Sequence, residues 1–119
     1  MELTGTSDNR IIFDGNTATG EDSANLIYGG MVQFLNVHKV LTGTYITCKQ
    51  NTGGIYGSCF RLNYSTITNR PTLSNLLCKN NSSANLNSSR GLGIYVSAEG
   101  DSHMELSVTD STFEGNTAS

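Results

Sequence analysis

Four asparagines, each three residues after a Phe or a Cys, recur along the chain at near-constant spacing. They end the tetrapeptides Phe13-Asp14-Gly15-Asn16, Cys48-Lys49-Gln50-Asn51, Cys78-Lys79-Asn80-Asn81 and Phe113-Glu114-Gly115-Asn116. A small hydroxyl residue follows each one: Thr17, Thr52, Ser82 and Thr117. The asparagines Asn16, Asn51, Asn81 and Asn116 are 35, 30 and 35 residues apart. Self-similarity at that period marks stacked repeat folds, in which one repeat cannot bury its apolar face alone and leans on its neighbours. A fifth pair, Phe60 and Asn63, falls out of register.

A second set of positions recurs between the first. Aligning Gly29-Gly30-Met31-Val32-Gln33-Phe34 with Gly57-Ser58-Cys59-Phe60-Arg61-Leu62 and Gly91-Leu92-Gly93-Ile94-Tyr95-Val96 gives consistent columns. Val32, Phe60 and Ile94 fall together, as do Phe34, Leu62 and Val96, with Gln33, Arg61 and Tyr95 between them. Alternation at period two is the strand pattern, one face buried and the other wet. The pattern predicts strands over 28–35, 41–48, 57–63, 73–78, 91–98 and 105–113, with polar connections between them. The row Phe13, Cys48, Cys78 and Phe113 is expected to stack inside. The four asparagines are expected to form a hydrogen-bonded ladder, since Asn tolerates a left-handed corner and its amide can bond along a stack.

The pairing of a Gly-Gly-small-aliphatic strand with a Phe-x-x-Asn turn resembles the repeats of the polymorphic outer membrane proteins and related right-handed parallel β-helix surface proteins. The second repeat is intact at Phe13 to Asn16 and at Phe113 to Asn116. Cys replaces Phe at 48 and 78, and the Gly-Gly repeat is degraded to Gly29-Gly30-Met31-Val32 and Gly91-Leu92-Gly93-Ile94. The resemblance implies an all-β, right-handed parallel β-helix of about three to four coils. Residues 1–119 would form one segment of a longer solenoid, with coil boundaries near 16, 51, 81 and 116. It also implies a non-enzymatic structural or adhesive role at the cell surface or in a secreted protein, with a host or cell-surface protein or glycan as partner.

Composition narrows the classes. Charged residues are 14% of the chain, with Asn, Ser, Thr and Gly in their place, and the net charge is −3. Disordered chains of comparable polarity carry higher net charge and lack recurring apolar columns. An acidic pI near 5.1 and scattered Lys and Arg speak against nucleic-acid binding. No apolar run is long enough to span a membrane, and the start of the chain carries no signal-peptide pattern. Stacked coils with uncapped ends would expose full rungs of unpaired backbone groups, which favours end-to-end self-association.

The cysteines are three, with no C-x-x-C and no zinc spacing, so neither a metal site nor a cofactor is expected. Cys48 and Cys78 would stack on adjacent strands, either as small hydrophobes or as a disulfide, since Cα atoms near 5 Å fall in bridging range.

No catalytic residue is assigned. The alternative reading, a pectate-lyase-like carbohydrate-active β-helix, requires carboxylates clustered on adjacent coils beside a basic residue. Asp14, Lys49, Lys79 and Glu114 share a column but read as charge compensation, and Glu21, Asp22, Glu99, Asp101 and Glu105 share none. His38 and His103 would fall in one column with Thr68 between them, about 9.5 Å apart and too far for one metal. Asn-x-Ser/Thr triplets make Asn63, Asn80, Asn81 and Asn87 glycan acceptors in a eukaryotic secretory setting. An ice-binding array would need regular threonines, and Thr44 and Thr47 are not expected to repeat.

Overall fold

The computed structural model describes residues 2–17, 32–34, 41–53, 59–64, 70–83, 93–98 and 105–118. These residues are all-β, with every strand pairing parallel. The chain makes successive passes through the same set of sheets. The first pass supplies β1 (Glu2–Thr4), β2 (Ile11–Asp14) and β3 (Val32–Phe34). The second supplies β4 (Thr42–Thr44), β5 (Ile46–Lys49), β6 (Thr52–Gly53) and β7 (Phe60–Tyr64). The third supplies β8 (Thr72–Ser74), β9 (Leu77–Lys79), β10 (Ser82–Ser83) and β11 (Ile94–Ala98), and the fourth β12 (Ser107–Thr109), β13 (Thr112–Glu114) and β14 (Thr117–Ala118).

Four open sheets result. Sheet I runs β1-β4-β8-β12, sheet II β2-β5-β9-β13, sheet III β6-β10-β14 and sheet IV β3-β7-β11. An isolated bridge from Thr17 to Thr52 extends sheet III into the first pass. The register is the one the sequence columns predict. Val32 and Ile94 flank Phe60, and Phe34 and Val96 flank Leu62. Phe13, Cys48, Cys78 and Phe113 follow one another in sheet II.

The strands are shorter and more numerous than alternation predicts. The expected strands over 41–48, 73–78 and 105–113 each divide in two at a residue of positive φ. These residues are Tyr45 (φ 52°), Asn75 (53°) and Asp110 (50°). Such a corner turns the chain from sheet I to sheet II. A second corner, from sheet II to sheet III, has its positive φ at Gly15, Gln50, Asn80 and Gly115, one residue before each ladder asparagine. The left-handed conformation expected at the asparagines therefore belongs to the preceding residue. Gly suits it without a Cβ penalty and Asn or Asp tolerates it, whereas Tyr45 and Gln50 adopt it because the pairing on both sides holds them there.

In β1, β2, β4, β8 and β9 alternate residues are the more buried, as are Phe60 and Leu62 of β7. Leu41, Ile46, Cys48, Cys59, Phe60, Leu62, Leu73, Leu76 and Cys78 form the buried core, all on the second and third passes. Gly43 stands in the inward column between Leu3 and Leu73. A Cβ there would come within 2.7 Å of Leu73 Cδ2, so glycine makes the room that the Leu73 side chain fills. On the outer passes, Leu3, Ile11, Phe13 and Leu106 pack against this core and remain partly accessible. Val108 and Phe113 are 37% and 44% exposed, although their in-register neighbours Leu73 and Cys78 are buried.

This gradient gives a test within one residue type. Phe60→Ala should cost about 3–5 kcal/mol of unfolding free energy, the range for emptying a filled aromatic site. Phe113→Ala should cost well under half of that. Urea denaturation followed by far-UV circular dichroism measures both, and equal losses would contradict the burial pattern.

Candidate functional site

The chemistry of the described residues gathers along the corner between sheets II and III. There the N–H and the side-chain Nδ2 of each asparagine donate to the Oδ1 of the next. Asn16 N and Nδ2 reach Asn51 Oδ1 at 2.9 and 3.0 Å. Asn51 N and Nδ2 reach Asn81 Oδ1, both at 3.1 Å. Asn81 N and Nδ2 reach Asn116 Oδ1 at 3.0 and 2.9 Å. The second Nδ2 hydrogen turns back to the carbonyl of the preceding tetrapeptide. Asn51 donates to Phe13 O at 3.0 Å, Asn81 to Cys48 O at 3.1 Å and Asn116 to Cys78 O at 3.0 Å.

The three-residue spacing of Phe or Cys to Asn follows from this geometry. The residue that fills the interior presents its carbonyl to the amide one pass later. Asn51 and Asn81 are wholly buried, and their side chains spend both donors and an acceptor that receives two bonds. A buried amide so satisfied is stabilising, and left unsatisfied it is costly.

Just before the ladder, the column Asp14, Lys49, Lys79 and Glu114 faces solvent. Lys49 Nζ lies 3.0 Å from Asp14 Oδ2, and Lys79 pairs with Glu114. The column is charge compensation between passes, as the sequence predicts. Glu105 is likewise paired, 2.6 Å from Arg70 at an exposed position. Glu21, Asp22, Glu99 and Asp101 lie outside the described residues, as do His38, His103, Thr68 and Asn87. Among the described residues no group of three or more His, Cys, Asp or Glu could hold a metal ion. No described helix is long and apolar enough to cross a membrane.

The potential glycan acceptors divide by environment. Asn81 is buried in the ladder with its amide nitrogen committed. Asn80 is exposed at the corner, and Asn63 lies in β7.

The cysteines depart from expectation. Cys48 bridges Cys59, with Cα atoms 5.8 Å apart, and the stacked pair Cys48 and Cys78 is not bonded. In-register residues of parallel strands aim their Cβ atoms the same way, so side chains of one column lie side by side. Cys59, entering β7 from another sheet, meets Cys48 across the interior. Cys78 remains a buried thiol, and burial pushes its pKa up from 9.0 to about 12.

Hydroxyl groups also stack, which sequence reading missed at Thr44. Thr4, Thr44, Ser74 and Thr109 are in register on the outer face of sheet I, beside Thr42, Thr72 and Ser107. Ser74 Oγ donates to Thr44 Oγ1 at 3.1 Å. A further column, Thr17, Thr52, Ser82 and Thr117, follows the ladder, with Thr52 and Ser82 hydroxyls 3.1 Å apart. Thr47 does not repeat, its neighbours being Ile12 and Leu77. Instead it accepts from Arg10 Nε at 2.7 Å, and the Arg10 guanidinium also donates to the carbonyls of Ile46 and Asn75. Arg10 thereby closes the corner beside Tyr45, whose ring lies 5.7 Å from the guanidinium carbon.

Comparison with family models, with curated proteins and with solved structures finds no match to this chain.

Two outcomes follow. Asn51→Ala orphans the Asn16 donors and the Phe13 carbonyl and should lose on the order of 1–3 kcal/mol of stability. Asn9→Ala, in an exposed loop, should change it by no more than about 0.5 kcal/mol. Equal urea midpoints for the two variants would rule out an energetic role for the ladder. The second concerns Cys78. Above pH 9 the unfolded thiol ionises while the buried one stays protonated until about 12, so stability falls as pH rises through that window. The slope approaches about 1.4 kcal/mol per pH unit. Cys78→Ala should remove this component, as urea midpoints taken on both sides of pH 9 would reveal.

Proposed function

We propose that the chain is a right-handed parallel β-helix that serves as a non-enzymatic structural or adhesive element of a surface-exposed or secreted protein. The observation that carries this reading is the common register of four parallel sheets joined by the asparagine ladder. One pass after another lies on the last, and parallel crossovers of this kind are almost always right-handed. A ladder that satisfies buried amides repeatedly makes a stiff scaffold, the requirement for a stalk.

Two further features support surface display. The Cys48–Cys59 bridge fits an oxidising compartment, where structural disulfides form and persist. The connections that lead into sheet IV differ in length, from Thr17 to Val32, Gly53 to Phe60 and Ser83 to Ile94, while both corners keep a fixed length on the second to fourth passes. Segments free to vary beside a fixed scaffold are where recognition of proteins or glycans concentrates.

The carbohydrate-active alternative finds less support. The described acids of the exposed column and of the Glu105 pair are each engaged with a single cation, which is poor preparation for acid–base work on a sugar. A screen on polyuronides with Ca²⁺ separates the two readings, turnover favouring the enzyme. The hydroxyl grid on sheet I favours a second binding reading, contact with an ordered water lattice. Glu2 interrupts that grid, and Ser74 and Ser107 lack the threonine methyl. Freezing hysteresis in solutions of the chain is its test.

Surface display itself is tested on intact cells of the source organism. A membrane-impermeant amine reagent should label the chain at Lys49 and Lys79 without lysis. Labelling only after lysis, or three free thiols in protein isolated under thiol-trapping conditions, would refute it.

A further inference from the structure

We propose that Cys48, Cys59 and Cys78 form a disulfide-exchange switch. When the Phe113 side chain lifts away, Cys78 displaces Cys59, and the bridge moves from within the second pass to between the second and third. The inference rests on the register of the cysteines and on none of the proposed surface contacts, so the two readings fail separately.

All three cysteines are wholly buried in one core. Cys48 and Cys78 are direct partners in the pairing of β5 with β9. Neighbouring strands hold such Cα atoms about 4.8 Å apart, inside the bridging range. Cys59 has no cysteine beside it: the register places Gly93 there, one residue before the pairing of Phe60 with Ile94. The free thiol therefore stands beside the Cys48 end of the bond. In the closed stack the Cys48 and Cys78 side chains lie side by side, which favours the bridge across the interior to Cys59. A bridge along the column requires the two strands to shift, and an opened layer permits that shift.

The cover on Cys78 is specific. Phe113 is its partner in β13, on the side away from Cys48. In the second pass the Cys48–Cys59 bond joins this row to the start of β7. In the third pass Cys78 and Gly93 hold the equivalent places, and Cys78 is unbonded. The Phe113 ring reaches Gly93 instead, where an added Cβ would come within 2.5 Å of Phe113 Cδ1. Burial keeps the thiol protonated, its pKa pushed up from 9.0 to about 12. Only the thiolate attacks a disulfide. Return to water restores the ordinary value and raises the thiolate fraction at neutral pH roughly a thousandfold.

The exchange balances without an outside oxidant. Cys78 Sγ gives its proton to water and forms a bond to Cys48 Sγ as the Cys48–Cys59 bond breaks. The released electron pair stays on Cys59 Sγ, which takes up a proton. One disulfide and one thiol exist before and after. The new bridge spans 30 residues where the old one spans 11, and it ties β5 to β9.

The position of the free thiol is the test. The oxidised chain is held folded at about pH 8.5, where a solvated thiol is half ionised, with no added thiol or oxidant. It is then acidified, unfolded in urea and capped with N-ethylmaleimide. Cleavage after Lys49 and Arg61 puts the three cysteines on separate peptides, and mass spectrometry reads which one carries the cap. Wild type should be capped on Cys78. In Phe113→Ala the cap should move to Cys59 at least about tenfold faster than in wild type, within the thousandfold ceiling that the thiolate fraction sets. Far-UV circular dichroism checks that the variant is folded, and Phe113→Val replaces it if it is not. Leu73→Ala empties a buried site in sheet I but leaves the Phe113 cover in place, so it should not match that acceleration. A cap that stays on Cys78 in Phe113→Ala, a cap that moves to Cys48, or equal acceleration by Leu73→Ala would each overturn the proposal.

Discussion

The interaction on which the rest depends is the asparagine amide shared between passes. A corner between two sheets is where a parallel stack is most exposed to failure, because the ladder of strand hydrogen bonds stops while the chain is still inside. The asparagine replaces the missing bonds with its own side chain. Its Oδ1 takes two donors from behind, and its nitrogen gives one hydrogen forward and one back to a carbonyl. Because the carbonyl belongs to the Phe or Cys of the preceding tetrapeptide, the bond fixes which residue of one pass lies over which residue of the next. Register across sheets I to III follows from it on the second to fourth passes, where both corners keep a fixed length. A slip of one residue would turn the whole inward row outward.

The interior depends on this register in turn. Cys48, Cys78 and the two terminal phenylalanines lie in one row, with small residues in the middle passes and large ones at the ends. The middle pass has room for small side chains because Phe60 and Leu62 of sheet IV fill the opposite side and Cys59 bonds across to Cys48. The free thiol beside that bond stays chemically quiet because burial disfavours its ionised form, and only the thiolate attacks a disulfide.

Much of this was legible in the sequence, and the reasons differ residue by residue. The ladder and the inward rows were readable because each role admits few residue types at a fixed spacing. The corners at Tyr45 and Gln50 were not, since nothing in either side chain announces a positive φ. At Asn75 and Asp110 a local signal exists, but it lay hidden inside an apolar alternation that reads as one longer strand. The strands of sheet III are only two residues long and carry no period. The disulfide depended on which way a Cβ points, and spacing along the chain does not encode that. The hydroxyl column at Thr44 escaped because serine stands for threonine at 74, so identity matching fails where chemistry repeats.

The Cys48–Cys59 bridge closes a loop inside one pass and joins no two passes. Under mechanical load this distinction matters. A chain pulled by its termini opens by peeling one pass from the next, and a bond within a pass neither resists that peeling nor transmits force between layers. It does shorten the extension released, because the segment from 48 to 59 stays looped until the bond is reduced. Tensile strength in such a stack therefore rests on hydrogen bonds between layers, whereas the covalent link sets how much slack a broken layer can yield.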